Sequence, residues 1–278
     1  MTETLPPPRT VENSACTGEV YDQGAQVTRW APVGAEPVLY VSTDLRLDAR
    51  KSIRAGVPVC WPWFGAGRVP GMEPAHGFAR TATWNLTEAK EGDDETTVVH
   101  RLTSDEATSP HWPHRYTAEL RASFGRELEV SLTTTNTGHE AFDYEEALHA
   151  YLVVGDIHRV RLDGLGGKSF VDKVTGTERV QQGELTFAGE TDAVFRTSDP
   201  VTLHDPALKR RLVVSTEGSA NVVVWNPWAV KAKAVPDIGD DDWERFVCIE
   251  GANAFENAVA LEPGQSHTTT YRVEVQPL

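Results

Sequence analysis

Four short segments concentrate residue types that packing alone does not explain: Arg54-Ala55-Gly56-Val57-Pro58-Val59-Cys60-Trp61-Pro62-Trp63-Phe64-Gly65, His76-Gly77-Phe78-Ala79-Arg80, Ala147-Leu148-His149-Ala150-Tyr151 and Cys248-Ile249-Glu250-Gly251-Ala252-Asn253. Together they hold two histidines, a glutamate and a well-separated pair of arginines. An imidazole, with an ordinary pKa of about 6.5, gives and recovers a proton at neutral pH, while a glutamate at about 4.3 is ionised and ready to accept one. A guanidinium is always charged, and its fork of donors fits a phosphate. Proton transfer and anion binding are therefore the chemistries these types offer. Each residue also has a plainer reading. His149 in an apolar strand is ordinarily a hydrogen-bonded core histidine, and Glu250 an end-of-strand surface carboxylate. His76 beside Gly77 serves equally as a turn residue. Arg80, and Arg54 near Lys51, serve equally as surface ion-pairing groups.

The elements that must position these residues are strands. Over residues 116–136, Ala118, Leu120, Ala122 and Phe124 share one parity before Gly125, and Leu128, Val130 and Leu132 alternate with polar residues after it. That pattern predicts a β-hairpin with one buried face. Short apolar runs recur at Val38–Val41, Thr97–Val99, Leu148–Val154, Arg159–Leu162, Leu212–Val214, Val222–Trp225, Phe246–Ile249 and Tyr271–Val275. Turn sequences such as Asp163-Gly164 and Glu262-Pro263-Gly264-Gln265 separate them. No 12-residue window sustains helical periodicity, and 17 prolines oppose long helices. We expect an all-β protein, a large antiparallel β-sandwich occupying 16–278 as one domain behind a mobile Pro-rich segment at 1–15.

Charge narrows the partners. The 278-residue chain carries 41 Asp and Glu against 26 Lys and Arg, a formal charge of −15. Such a field repels phosphate backbones and anionic lipid, and no basic patch offsets it, so neither nucleic acid nor membrane is expected as a partner. Cys16, Cys60 and Cys248 are odd in number and widely spaced, which argues against a disulfide scaffold or zinc cluster. The N-terminus lacks the pattern of a signal peptide, and no apolar run approaches the roughly 18 residues that span a bilayer. We expect reduced thiols and a cytoplasmic location. The acidic run Asp237–Glu244 carries five carboxylates but lacks the ligand spacing of a calcium loop, so it reads as a solvated loop and no metal is assigned.

With Val224-Trp225-Asn226-Pro227-Trp228, the four segments resemble, in this order, the hexose-6-phosphate mutarotase branch of the aldose 1-epimerase family. The resemblance covers about residues 20–275. It implies the galactose mutarotase-like supersandwich and an enzyme that interconverts the α and β anomers of a sugar phosphate without metal or other cofactor. Anomer exchange needs a base at the anomeric hydroxyl and an acid at the ring oxygen, with the roles reversed on reclosure.

By this resemblance His149 matches the acid and Glu250 the base. Arg54 and Arg80 match the phosphate side, His76 lies near the sugar, and Asp192 aligns with an aspartate that accepts from sugar hydroxyls. Asp192 also reads as a turn residue after Gly189 and Thr191. Trp61, Trp63, Phe64, Trp225 and Trp228 can wall a sugar cleft, although burial in the core is the commoner role of such rings. On a strand, Glu145 shares a face with Ala147 and His149, which makes it a conceivable carboxylate partner for the imidazole if the strand bends. One departure concerns Ala75, where the family carries Gln, so an amide that can bond substrate is missing. The partner implied is a small-molecule sugar phosphate met by a monomer or weak homo-oligomer. The alternatives are a mutarotase for unphosphorylated aldoses, or a catalytically silent sugar-binding protein of the same fold.

Overall fold

The alternating run at 116–136 forms the expected hairpin: Tyr116–Phe124 pairs antiparallel with Glu127–Asn136, with Ala118, Leu120, Ala122, Phe124, Leu128, Val130 and Leu132 fully buried. The computed structural model describes residues 5–49 and 51–278. Around this hairpin the chain builds a nine-stranded antiparallel sheet. Its order is Leu185–Thr186, Arg161–Asp163, Val201–Asp205, Arg210–Glu217, Ser266–Pro277, Glu127–Asn136, Tyr116–Phe124, Thr96–Thr103 and Asn85–Glu91.

A second, eight-stranded sheet runs Thr177–Val180, Ser169–Asp172, Thr191–Phe195, Asn221–Asn226, Phe246–Asn253, Glu146–Leu148 and Val59–Cys60, with Tyr151–Val153 also paired to Phe246–Asn253. Leu148, Val222, Val224 and Ile249 from this sheet and Leu120, Val130, Leu132 and Val273 from the other belong to one continuous buried cluster. The sheets thus pack as a sandwich, and each fully buried Val or Leu adds about 1.5–3 kcal/mol. The opposite face of the eight-stranded sheet carries a separate small cluster of Cys60, Phe64, Ala147, Val194, Val223 and Ala252. Because side chains alternate along a strand, burying Val222 and Val224 in the sandwich turns Val223 and Trp225 outward. The candidate residues stand on that outward face.

Three expectations change in detail. Val38–Val41 forms only isolated bridges, Leu39 to Leu152 and Val41 to Ala55. The run at 148–154 is split into Glu146–Leu148 and Tyr151–Val153, because the His149 and Ala150 amides turn aside to the carbonyls of Pro58 and Leu148. Within the segment expected to be mobile, Arg9–Glu12 pairs with Cys16–Val20, whereas residues 1–4 lie outside the described residues. A seven-residue helix, Trp228–Ala234, is the one α-helix among the described residues, and no helix is long and apolar enough to cross a membrane. Cys16, Cys60 and Cys248 are free and buried.

Candidate active site

Register across the eight-stranded sheet brings the outward residues together. Glu250 lies opposite Val223, Cys248 opposite Trp225, and Trp225 in turn opposite Asp192. Glu250, Trp225 and Asp192, from three adjacent strands, therefore line one cavity of about 210 Å³. That is below the roughly 300–1,000 Å³ of sites for drug-sized ligands, and suits one small polar molecule. The remaining wall comes from Arg54, Phe64, His76, Arg80, His149, Tyr151, Lys173 and Lys231. Every site residue expected from the sequence thus lines this cavity.

His149 reaches it from the break in its strand. Its Nε2 lies 3.4 Å from Oε1 of Glu250, while its Nδ1 and the other Glu250 oxygen, Oε2, are buried without a hydrogen-bond partner. Buried polar atoms are normally paired, so two such atoms at one cavity floor mark groups that a ligand can satisfy. His149 stacks on Tyr151 with centroids 4.9 Å apart and meets Trp225 edge-on at 6.0 Å. Glu145 does not serve as its partner. Its two oxygens accept from the Phe64 and Phe255 amides at 3.1 and 2.7 Å, so it ties loops to the sheet.

His76 stands on a backbone excursion with φ 65°, followed by Gly77 at φ 76°. A Cβ on Gly77 would lie 2.0 Å from the Trp61 carbonyl oxygen, so only glycine fits. The Gly65 amide donates to Nδ1 of His76 at 3.3 Å, which makes Nδ1 the acceptor and assigns the ring proton to Nε2. The His76 and His149 rings meet at 5.8 Å.

Charge at the site is unusual for so acidic a chain. Burial, reinforced by Arg80 and Arg54, pushes the His149 pKa down to about 3. Burial and the nearby Asp192 push Glu250 well above the carboxylate range, against the pull of Lys173 and Arg80. His149 and Glu250 are close enough for an ion pair, but desolvation and these neighbours favour the neutral forms of both. Burial and Arg80 likewise depress His76.

The cations are held differently. Arg54 donates from Nη1 to the Tyr151 hydroxyl at 2.7 Å and from Nε and Nη2 to Oδ1 of Asp237 at 3.3 and 3.1 Å. Burial opposes its charge, and Tyr151 and Asp237 more than restore it. Arg80 has one contact, Nη2 to the Ala75 carbonyl at 2.5 Å, and its Nε is buried and unpartnered. Lys173 pairs with Oδ1 of Asp192 at 3.3 Å and lies 5.0 Å above the Phe64 ring centre.

Part of the acidic run is built into this site rather than merely solvated. Asp237 clasps Arg54, and the buried Asp242 accepts from the Tyr40 hydroxyl, from Thr43 N and Oγ1 at 2.9 Å each, and from Gly239 N at 3.1 Å. Asp192 lies within a strand, so its turn reading falls away. Of the aromatics, Phe64 and Trp225 line the cavity. Trp61 and Trp63 are in the sandwich core, and Trp228 packs on Trp243 at 4.5 Å. Lys173, Tyr151 and Lys231 were not foreseen as site residues. Tyr151 had a readable signal, since it shares strand parity with His149, whereas the lysines arrive from turns and a helix without local pattern.

The sequence matches the aldose 1-epimerase family over residues 9–274. It is 37% identical over 248 residues to an Escherichia coli protein provisionally named glucose-6-phosphate 1-epimerase, covering 88% of this chain and 82% of the other. A Cenchrus ciliaris protein of the same provisional name is 34% identical, covering 90% and 78%. The crystal structure of a provisionally named mutarotase from Salmonella typhimurium superposes with a TM-score of 0.90 at 34% identity, covering 97% of this chain and 90% of that one.

Proposed function

The chain belongs to the aldose 1-epimerase family, and on that premise we propose that its substrate is a hexose 6-phosphate, glucose 6-phosphate first, with His149 and Glu250 as its proton-transfer pair. The protein is an isomerase that interconverts sugar anomers. The observation that carries the proposed roles is the meeting of His149 Nε2 and Glu250 Oε1 at 3.4 Å on the floor of a cavity that Arg54 and Arg80 also line.

In ring opening, Glu250 takes the proton from the anomeric hydroxyl while His149 gives one to the ring oxygen, leaving the open-chain aldehyde. Rotation about the next carbon–carbon bond presents the other carbonyl face. Reclosure returns one proton from Glu250 to the carbonyl oxygen and one from the hydroxyl to His149. The pair carries one proton throughout. Burial, the arginines' repulsion of a charged His149 and Asp192 beside Glu250 favour that proton on Glu250 in the free protein, against the pull of Lys173 and Arg80 on its carboxylate, and this is the distribution that reclosure needs. A phosphate dianion held by Arg80 and Arg54 offsets the positive potential on His149 and so favours the distribution needed for opening. His76, neutral with its proton on Nε2, and Asp192 orient sugar hydroxyls.

Arg80, with a free Nε, is the stronger phosphate contact, because Arg54 is already engaged by Asp237 and Tyr151. That engagement is also what favours a second reading, mutarotation of unphosphorylated aldoses. Arg80→Ala separates them: a tenfold or greater rise in KM for glucose 6-phosphate with glucose exchange unchanged supports phosphate recognition, and equal behaviour of both sugars refutes it. We further propose a cytoplasmic enzyme acting as a monomer or weak homo-oligomer, its three free thiols being in keeping with a reducing compartment.

A further inference from the structure

Cys248 has no part in the chemistry above, yet its Sγ, a ring nitrogen of His149 and a carboxylate oxygen of Glu250 all lie within 4.8 Å of one another. The reason is strand geometry. Cys248 and Glu250 are two residues apart on one strand and share a face, and the break after Leu148 lays His149 beside them. All three are buried, and Nδ1 of His149 and Oε2 of Glu250 have no partner.

We propose that His149, Cys248 and Glu250 form a binding site for a borderline-soft divalent cation, zinc or cadmium, which occupies the proton-transfer pair and inhibits the enzyme. A thiolate, an imidazole and a carboxylate are ligands for zinc, whereas magnesium and calcium take oxygen ligands. Three protein ligands leave the fourth tetrahedral position for water or a sugar hydroxyl from the cavity. Ligand atoms around tetrahedral zinc are about 3.5 Å apart, from bond lengths of about 2.0–2.3 Å. The His149–Glu250 separation of 3.4 Å already meets this, so closing the site requires only that the Cys248 side draw in by about 1 Å.

Charge balances as well. The cation replaces the thiol proton and the one proton that His149 and Glu250 share, so two protons leave and a neutral metal–thiolate–carboxylate unit remains. Arg54, Arg80 and Lys173 oppose a bare cation here, while Asp237 and Asp192 already pair with Arg54 and Lys173. Since the ion and the substrate need the same two side chains, inhibition is competitive with sugar phosphate. The site itself stands apart from the choice of substrate.

Titration calorimetry with zinc chloride in buffers of different ionisation enthalpy, on wild type and on Cys248→Ala, tests this. We expect a 1:1 event with about two protons released that weakens at least tenfold in Cys248→Ala. Cobalt(II) should give a sulfur-to-metal charge-transfer band in wild type alone. Zinc binding identical in the two proteins, or without proton release, overturns the proposal by placing the ion on surface carboxylates. The activity readout is separate: Cys248→Ala should retain anomer exchange, with zinc inhibition lost and magnesium without effect on either protein. Zinc binding without any anomer exchange would refute the proposed function and leave the metal site standing.

Discussion

Nε2 of His149 and Oε1 of Glu250 lie 3.4 Å apart although the two residues are 101 positions apart in the chain, and they meet because the strand of Glu250 turns its side chain to the outer face of the sheet while the break after Leu148 in the adjacent strand lays His149 beside it. The pair sits where burial disfavours charge on either member, with arginines alongside to bias its single proton. The proposed acid and base are thus held in direct contact.

Removing either member should be severe. His149→Ala and Glu250→Gln are each expected to lower turnover by about 100-fold or more, the ordinary loss on deleting one general acid or base. Circular dichroism and thermal melting establish that the variants are folded, and anomer exchange at wild-type rate in either would remove that residue from the chemistry.

The clasp on Arg54 gives a different signature. Asp237→Asn weakens the ion pair with Arg54 while leaving the fork free for a phosphate. A lower KM for glucose 6-phosphate, with kcat within threefold of wild type, is the expected outcome. An unchanged KM would mean that Arg54 does not reach the phosphate.

Backbone geometry around His76 is equally open to test. Gly77→Ala places a Cβ against the Trp61 carbonyl oxygen at a positive φ, and a single strained position of this kind costs about 1–3 kcal/mol. A melting temperature lowered by several degrees, together with a raised KM as His76 shifts, is the expected result. A variant as stable as wild type would contradict the close approach.

Stability should also fall in mild acid. His76 is buried against neighbours that hold its folded pKa well below 6.5, so between that value and 6.5 the unfolded chain binds more protons than the folded one. Stability from this group is complete above about pH 6.5 and is lost as pH falls toward the folded pKa. Glu250, raised in the fold, contributes with the opposite slope, its stability lost as pH rises above the ordinary carboxylate value. Denaturant melts between pH 7 and 4 should show a shallower loss for His76→Asn than for wild type, and parallel slopes would show that His76 is not buried neutral.

Much of this was legible in the sequence, and what was not has physical causes. Period-two alternation at 116–136 announces strands because one face is buried, and the run Val222–Trp225 announces one as a short continuous apolar run because that strand is buried on both faces. Asn85–Glu91 is exposed along its whole length, so as an edge strand it carries no pattern to read. The break at His149–Ala150 combines a local bond from the Ala150 amide to the Leu148 carbonyl with bonds to residues distant in the chain, His149 N to the Pro58 carbonyl and Ile249 N to the Ala150 carbonyl, which local pattern does not announce. His149, Glu250, Arg54, Arg80, His76 and Asp192 were found through their motifs and reach one cavity. Lys173 was missed because its place depends on an ion pair to Asp192 from a neighbouring turn, and Asp237 because a carboxylate in an acidic run gives no sign of the arginine it clasps.

Anomer exchange of a sugar phosphate by this cavity is read by NMR magnetisation transfer between the α and β forms of glucose 6-phosphate. Glucose and galactose at equal concentration serve as controls, with a chelator present. Exchange of glucose 6-phosphate at least tenfold faster than of either free sugar, abolished in Glu250→Gln, is the expected result. Exchange confined to the free sugars would contradict the phosphate site, and no acceleration of any of the three would contradict the catalytic assignment and leave a sugar-binding protein.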